Sequence, residues 1–216
     1  MTKILPILFI LLWSSAFITS KVIVENATPF ASLTFRFIIV SFGFLIILFY
    51  FKEKLFIKIN YFLEACISGI LFHGFYLGGV FYSISLGLPA NIAALIVSLQ
   101  PILTNIFAGP ILKEQVTWIQ WLGISLGFIG TILVLGFDIG KSISIISLIA
   151  CIMALLAVTT ATLWQKLLSN KLSLIVNNFY QALGASIFLF FIMIIFENPS
   201  INFNKSFILS MSWQII

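Results

Sequence analysis

A polar stripe runs along one of the most apolar stretches of this sequence. Asn91, Ala94, Ser98, Pro101 and Asn105 are spaced three, four, three and four residues apart, the repeat of one helix face. The positions between them are mostly Ile, Leu and Val. Polar groups on such a segment either line a cavity or hydrogen-bond a neighbouring helix, and spacing leaves both readings open. Pro101 removes one backbone hydrogen bond, which kinks a helix or frees a carbonyl to meet a ligand. A second stripe holds Gly69, His73, Tyr76, Val80 and Ser83. His73 is the only histidine. It titrates near neutral pH when unperturbed, so it could relay a proton or contact a small molecule. Its plainer role is a hydrogen bond to an adjacent helix. One histidine with no carboxylate or thiol nearby in sequence is not a metal site.

Arg36 sits seven residues into an apolar run, roughly 10 Å from its end at about 1.5 Å per residue. A charge at that depth is costly and is a functional candidate by default. It could attract a carboxylate, pair with Glu25, or snorkel to the headgroups. Trp13, Phe17 and Ser20 share one face of the first apolar run, as cavity lining or as packing. Lys21, at the end of that run, reads as interfacial.

Motifs for chemical catalysis are absent. There is no Walker A sequence and no GxGxxG after a strand; Gly123, Gly127 and Gly130 have the wrong spacing. The six acids fall mostly between apolar runs and offer no carboxylate pair. The chain therefore reads as neither an enzyme nor a cofactor binder.

The elements that must position these residues follow from composition. Of 216 residues, 62% are apolar and 8% charged, against about 45–50% and about 25% in a soluble domain. Mean hydropathy is +1.22. So few charges cannot coat a water-soluble fold, which excludes a soluble enzyme and a disordered tail. The net charge of +5 does not indicate nucleic acid, because the cations sit singly between apolar runs except for Lys52, Lys54 and Lys58. Cys66 and Cys151 lie in apolar runs and read as small core residues.

Spanning helices need about 20 apolar residues. Seven runs qualify: Ile4–Val24, Pro29–Phe51, Ala65–Leu86, Pro89–Leu112, Val116–Phe137, Ile143–Leu163 and Leu174–Phe196. An eighth begins at Phe207 and stops at Ile216. The fold expected is an all-α polytopic membrane protein. A signal peptide cleaved after Ser14-Ser15-Ala16 is the alternative for the first run, but apolar character continues to Val24. With the N-terminus in the cytoplasm, Lys3, Lys52, Lys54, Lys58, Lys113, Lys166 and Lys171 lie inside, and Lys21, Lys141 and Lys205 outside. The positive-inside rule favours this orientation. Gly74/Gly78 and Gly123/Gly127 allow close helix contact, whereas Gly136/Gly140 reads as a loop.

An internal repeat is legible at an offset of 145 residues, which relates Lys21 to Lys166 and Phe35-Arg36 to Tyr180-Gln181. Five runs separate the copies, so the second enters from the opposite side. Inverted repeats are a recurrent transporter architecture. A copy of the segment ending at Phe137 would end well beyond Ile216, so the chain reads as a fragment or a truncated product.

The opening Leu11-Leu12-Trp13-Ser14-Ser15-Ala16-Phe17, with Lys21, Pro29 and Arg36-Phe37, resembles the first helical pair of EamA-type transporters of the drug/metabolite transporter superfamily. Ala93 to Thr104 resembles that family's fourth helix. Lys113-Glu114, Trp118 to Gly123 and Gly127 to Gly130 resemble the junction to the fifth helix and that helix itself. The resemblance implies inverted five-helix repeats: ten helices, of which about seven and a half are present here, a first repeat over 1–137 and a truncated second over 143–216. It also implies a central cavity and a secondary transporter, an exporter or exchanger of small organic metabolites such as amino acids, working by alternating access across the cell (inner) membrane. The rivals are an intramembrane enzyme, which lacks an acid/base cluster, and a non-transporting assembly subunit completed by a partner chain. The partners expected are the lipid bilayer and a small-molecule substrate, with no nucleic acid; a homodimer stays open.

Overall fold

Each long apolar run forms one helix, because a backbone in lipid must satisfy its polar groups within its own segment. The computed structural model describes residues 4–112, 117–135, 143–168 and 172–215. Lys3, Lys113, Glu114, the Gly136/Gly140 pair, Asp138, Lys141 and Lys171 lie outside the described residues. Among the described residues there are eight helices: α1 (Ile4–Val24), α2 (Pro29–Tyr50), α3 (Ile59–Ser85), α4, α5 (Trp118–Leu135), α6 (Ile145–Leu168), α7 (Leu174–Phe196) and α8 (Lys205–Ile215). Helix α4 is in two pieces, α4a (Ala90–Val97) and α4b (Gln100–Leu112). Five of these helices, α2, α3, α4, α6 and α7, are long and apolar enough to cross a membrane. The chain is a multi-pass membrane protein.

Three boundaries differ from the sequence expectation. Helix α3 begins at Ile59 rather than Ala65, because Asn60, Tyr61 and Glu64 prolong the hydrogen-bonded spiral past the apolar edge. Helix α6 runs on to Leu168 rather than Leu163 for the same reason. Helix α4 breaks at Ser98 and Leu99. Pro101 has no N–H to donate to the carbonyl four residues back, and the Ser98 hydroxyl donates to Leu95 O at 2.7 Å.

Local chemistry sets several helix ends. Pro29 occupies the first turn of α2, where its missing N–H costs nothing. Thr117 and Gln120 form a reciprocal capping box at the start of α5, with Thr117 N donating to Gln120 Oε1 at 2.8 Å. Asn204 Oδ1 accepts from Phe207 N at 2.8 Å and caps α8. Helix α3 ends where Gly87 adopts φ +93°, and Leu88 N reaches back to Ser83 O at 3.0 Å. That left-handed turn suits a residue without Cβ.

Helix α3 is the hub. It packs against α6 and α7, while α2 packs along α7 and α8 along α1. Glycines make the hub tight. A Cβ on Gly79 would come within 2.9 Å of Ala150 O, and one on Gly74 within 2.6 Å of the Phe188 ring. A Cβ on Gly69 would overlap the Gln181 backbone. Close approach through small residues replaces the hydrophobic effect as the source of helix association in lipid. At Gly123, in the second predicted pair, an added Cβ meets nothing within 4 Å, because α5 touches little besides α4a. Cys151 is buried and Cys66 half-buried, both as free thiols.

Two loops join at one end of the bundle. Ala27 and Ile201 form an isolated antiparallel bridge. Thr28 N donates to Ser200 O at 2.9 Å and Asn202 N to Asn26 O at 2.8 Å. The Glu197 carboxylate accepts from Phe30 N at 3.0 Å and Ala31 N at 3.1 Å, placing an anion on the N-terminus of α2.

Candidate functional site

Helices α1, α2, α3 and α8 line a half-open cavity of about 270 Å³. Helix α1 contributes Leu12, Trp13, Ala16, Phe17 and Ser20, one face at intervals of three and four. Helix α3 contributes Phe72, His73, Tyr76, Leu77, Val80 and Phe81. Residues 70–77 of α3 form a π-helix, whose widened turn lets residues four apart stack on the cavity side. Helix α2 supplies Arg36, and α8 supplies Trp213 and Gln214.

Arg36 turns into the bundle rather than toward the headgroups. Its Nη1 donates to Gln214 Oε1 at 3.0 Å and its Nη2 to Gln214 O at 2.5 Å. Glu25, the partner considered from sequence, instead approaches Lys21 at 4.0 Å. The Gln214 amide also donates to Thr19 Oγ1 at 2.8 Å, Ser20 Oγ at 3.1 Å and Ala16 O at 3.1 Å. Ser20 gives its own proton to Ala16 O at 2.7 Å, so it is free to accept. One amide thus ties α1 to α2 through α8.

Aromatic rings surround the cation. Arg36 Cζ stands 5.4 Å from the centre of the Phe37 ring, within cation–π range. The Phe37 and His73 ring centres are 4.6 Å apart, and those of Phe72 and Tyr76 5.7 Å. Two buried polar atoms of cavity residues have no hydrogen-bond partner, Arg36 Nε and His73 Nδ1.

Six residues singled out from sequence come together here: Trp13, Phe17, Ser20, Arg36, His73 and Tyr76. The other four do not line this cavity. Asn91 lies on α4a, Ser98 at the break, and Pro101 and Asn105 on α4b. A two-residue turn at Ser98 and Leu99 divides the helix that carries their stripe. Helix α4b meets α6 through Gln100, whose Nε2 donates to Thr162 Oγ1 at 3.1 Å. A second cleft of about 440 Å³ lies between α4b and α6; its Thr159 and Thr160 hydroxyls donate to carbonyls of their own helix.

Sequence reasoning missed Phe72, Trp213 and Gln214. For Gln214 a signal existed. It is an amide in an apolar run, and the 145-residue offset places it opposite Gly69, which packs on Gln181, the offset partner of Arg36.

Comparison with curated proteins returns no match. A solved structure described as "Crystal structure of protein" superposes with a TM-score of 0.73 over 95% of this chain and 71% of its own, at 19% identity. That likeness establishes the fold. The model of the EamA-like transporter family matches residues 2–136, most of the chain and all of α1 to α5. By this match the chain belongs to the EamA-like transporter family of membrane transporters.

Proposed function

We propose that the chain acts as a secondary transporter, an exporter or exchanger of small organic metabolites such as amino acids. It works by alternating access across the cytoplasmic membrane, with its N-terminus inside. The observation that carries this reading is the cavity between α1, α2, α3 and α8, walled by aromatic rings around one cation. Its volume of about 270 Å³ lies near the lower end of the roughly 300–1,000 Å³ of small-molecule sites.

Helix contacts support the two-repeat design, with one copy over 1–137 and the next over 143–216. The offset of 145 relates α1, α2 and α3 to α6, α7 and α8. Helix α2 packs on α7, its own image, while α1 packs on α8 and α6 on α3, an exchanged pair. At residue level, Gln165 Nε2 donates to Gln181 Oε1 at 2.9 Å. Its image is the Ser20 and Arg36 pair, which Gln214 bridges. An interface that maps onto itself beside two that exchange is the signature of a pseudo-two-fold axis. Rocking about the α2–α7 contact would expose the cavity to each side in turn.

Counterflow in proteoliposomes tests the proposal. Saturable, Arg36-sensitive exchange of a small organic metabolite supports it. Absence of saturable flux for a broad set of amino and organic acids sinks it. A reporter inserted after Lys58 that reads outside the cell overturns the orientation.

A further inference from the structure

Resting on that transporter reading but narrowing its substrate class away from amino acids, we infer that the cavity takes a small organic monoanion, a carboxylate on an apolar or aromatic body that carries no free ammonium group. Arg36 is a partly buried cation whose hydrogen-bond acceptors, Oε1 and the main-chain oxygen of Gln214, are both neutral. Gln214 takes two of the five N–H donors of a guanidinium, and Nε–H has no partner. Among the described residues, no acidic side chain lines the cavity. The ion pair found among the described residues, Lys21–Glu25, lies outside it. An unpaired charge in a low-dielectric site is costly, and a bound anion offsets that cost. The planar fork of Arg matches a carboxylate.

The same accounting disfavours a zwitterion. Its ammonium would need an anion or several free acceptors. Gln214 Oε1 is engaged by Arg36, and Ser20 Oγ receives the Gln214 amide. The ammonium would also lie within a few ångströms of the Arg36 charge. Apart from His73, whose unpartnered Nδ1 is a single acceptor, and the Tyr76 hydroxyl, the rest of the wall is apolar or aromatic: Trp13, Phe17, Phe72, Phe81 and Trp213. It suits an uncharged body.

Three ligands with one phenyl body separate the charge classes: 3-phenylpropionate, phenylalanine and phenethylamine. Quenching of tryptophan fluorescence reads binding to the purified full chain in detergent, because Trp13 and Trp213 line the cavity. We expect saturable quenching by 3-phenylpropionate, with phenylalanine and phenethylamine about tenfold weaker or worse. Arg36→Gln should weaken the acid by about tenfold or more, and Arg36→Lys by less. The ligand order in the unsubstituted protein decides the matter even where a variant fails to fold. Phenylalanine or phenethylamine binding as tightly as the acid overturns the inference, as does the absence of saturable quenching by the acid. Flux is read separately by counterflow. Binding of the acid without flux overturns the transporter reading and leaves the assignment of the occupant standing.

Discussion

Arg36 and Gln214, 178 residues apart, are joined twice, through the side-chain oxygen of Gln214 at 3.0 Å and its main-chain oxygen at 2.5 Å. The same Gln214 amide reaches Thr19, Ser20 and Ala16 on α1. Three helices therefore depend on one side chain. Gln214→Leu keeps the volume but strands the Arg36 donor and the α1 acceptors. A buried polar group left unpaired costs about 1–3 kcal/mol, so the variant should unfold at a clearly lower temperature in detergent. Ser15→Ala removes two exposed bonds, the one from Trp213 Nε1 and the one that Ser15 Oγ donates to Leu12 O within α1, and should shift the midpoint little. Equal midpoints for the two variants would show that the clamp contributes no stability.

The strap between the α1–α2 and α7–α8 loops lies roughly 10 Å beyond the Arg36 level, by helix rise. If the cavity opens on that side during transport, the strap must part. Bridged antiparallel residues have Cα atoms about 4.5–5.5 Å apart, within the range a disulfide spans. In a background lacking Cys66 and Cys151, the pair Ala27→Cys and Ile201→Cys should cross-link on oxidation and stop counterflow. Reductant should restore it. Full cross-linking with undiminished flux would mean that the two loops stay joined throughout the cycle.

Much of this fold was legible because lipid imposes one rule on every span. Runs such as Pro29–Phe51 and Leu174–Phe196 matched α2 (Pro29–Tyr50) and α7 within a residue. Failures came where local chemistry overrode the apolar pattern. The stripe from Asn91 to Asn105 assumed one continuous helix, whereas the chain divides there into α4a and α4b. Arg36, His73 and Tyr76 were legible as costly or polar groups at depth. That they converge with Trp13 and Gln214 depends on how α1, α3 and α8 pack, and no single segment encodes that. The glycines show the same division. Their spacing marked both Gly74/Gly78 and Gly123/Gly127, but only tertiary packing decides which ones touch a neighbour.

That difference among glycines is measurable. Gly69→Ala forces a Cβ into the Gln181 backbone, which cannot move without displacing α7 from α3. Gly123→Ala fills open space and removes the glycine penalty in a helix, about 0.8–1.0 kcal/mol. The first should lower the thermal midpoint sharply and reduce folded yield. The second should leave it unchanged or raise it slightly. A neutral Gly69→Ala would mean that α3 and α7 are farther apart than described here.

The two groups of candidate residues should also separate by flux. His73 and Tyr76 line the cavity, while Ser98 and Asn105 do not. His73→Leu places an apolar group at an unpartnered nitrogen and leaves Arg36 as the cavity's main polar anchor. Tyr76→Leu removes an aromatic wall that also packs on Phe72. Each should cut saturable counterflow by about tenfold, equivalent to ~1.4 kcal/mol of lost binding. Ser98→Ala removes a bond that the hydroxyl makes only within its own helix, so flux should persist near the level of the unsubstituted protein, as it should for Asn105→Leu. The reverse ranking, with α4 variants inactive and the His73 variant unaffected, would move the transport path from the α1–α3–α8 cavity to the face of α4.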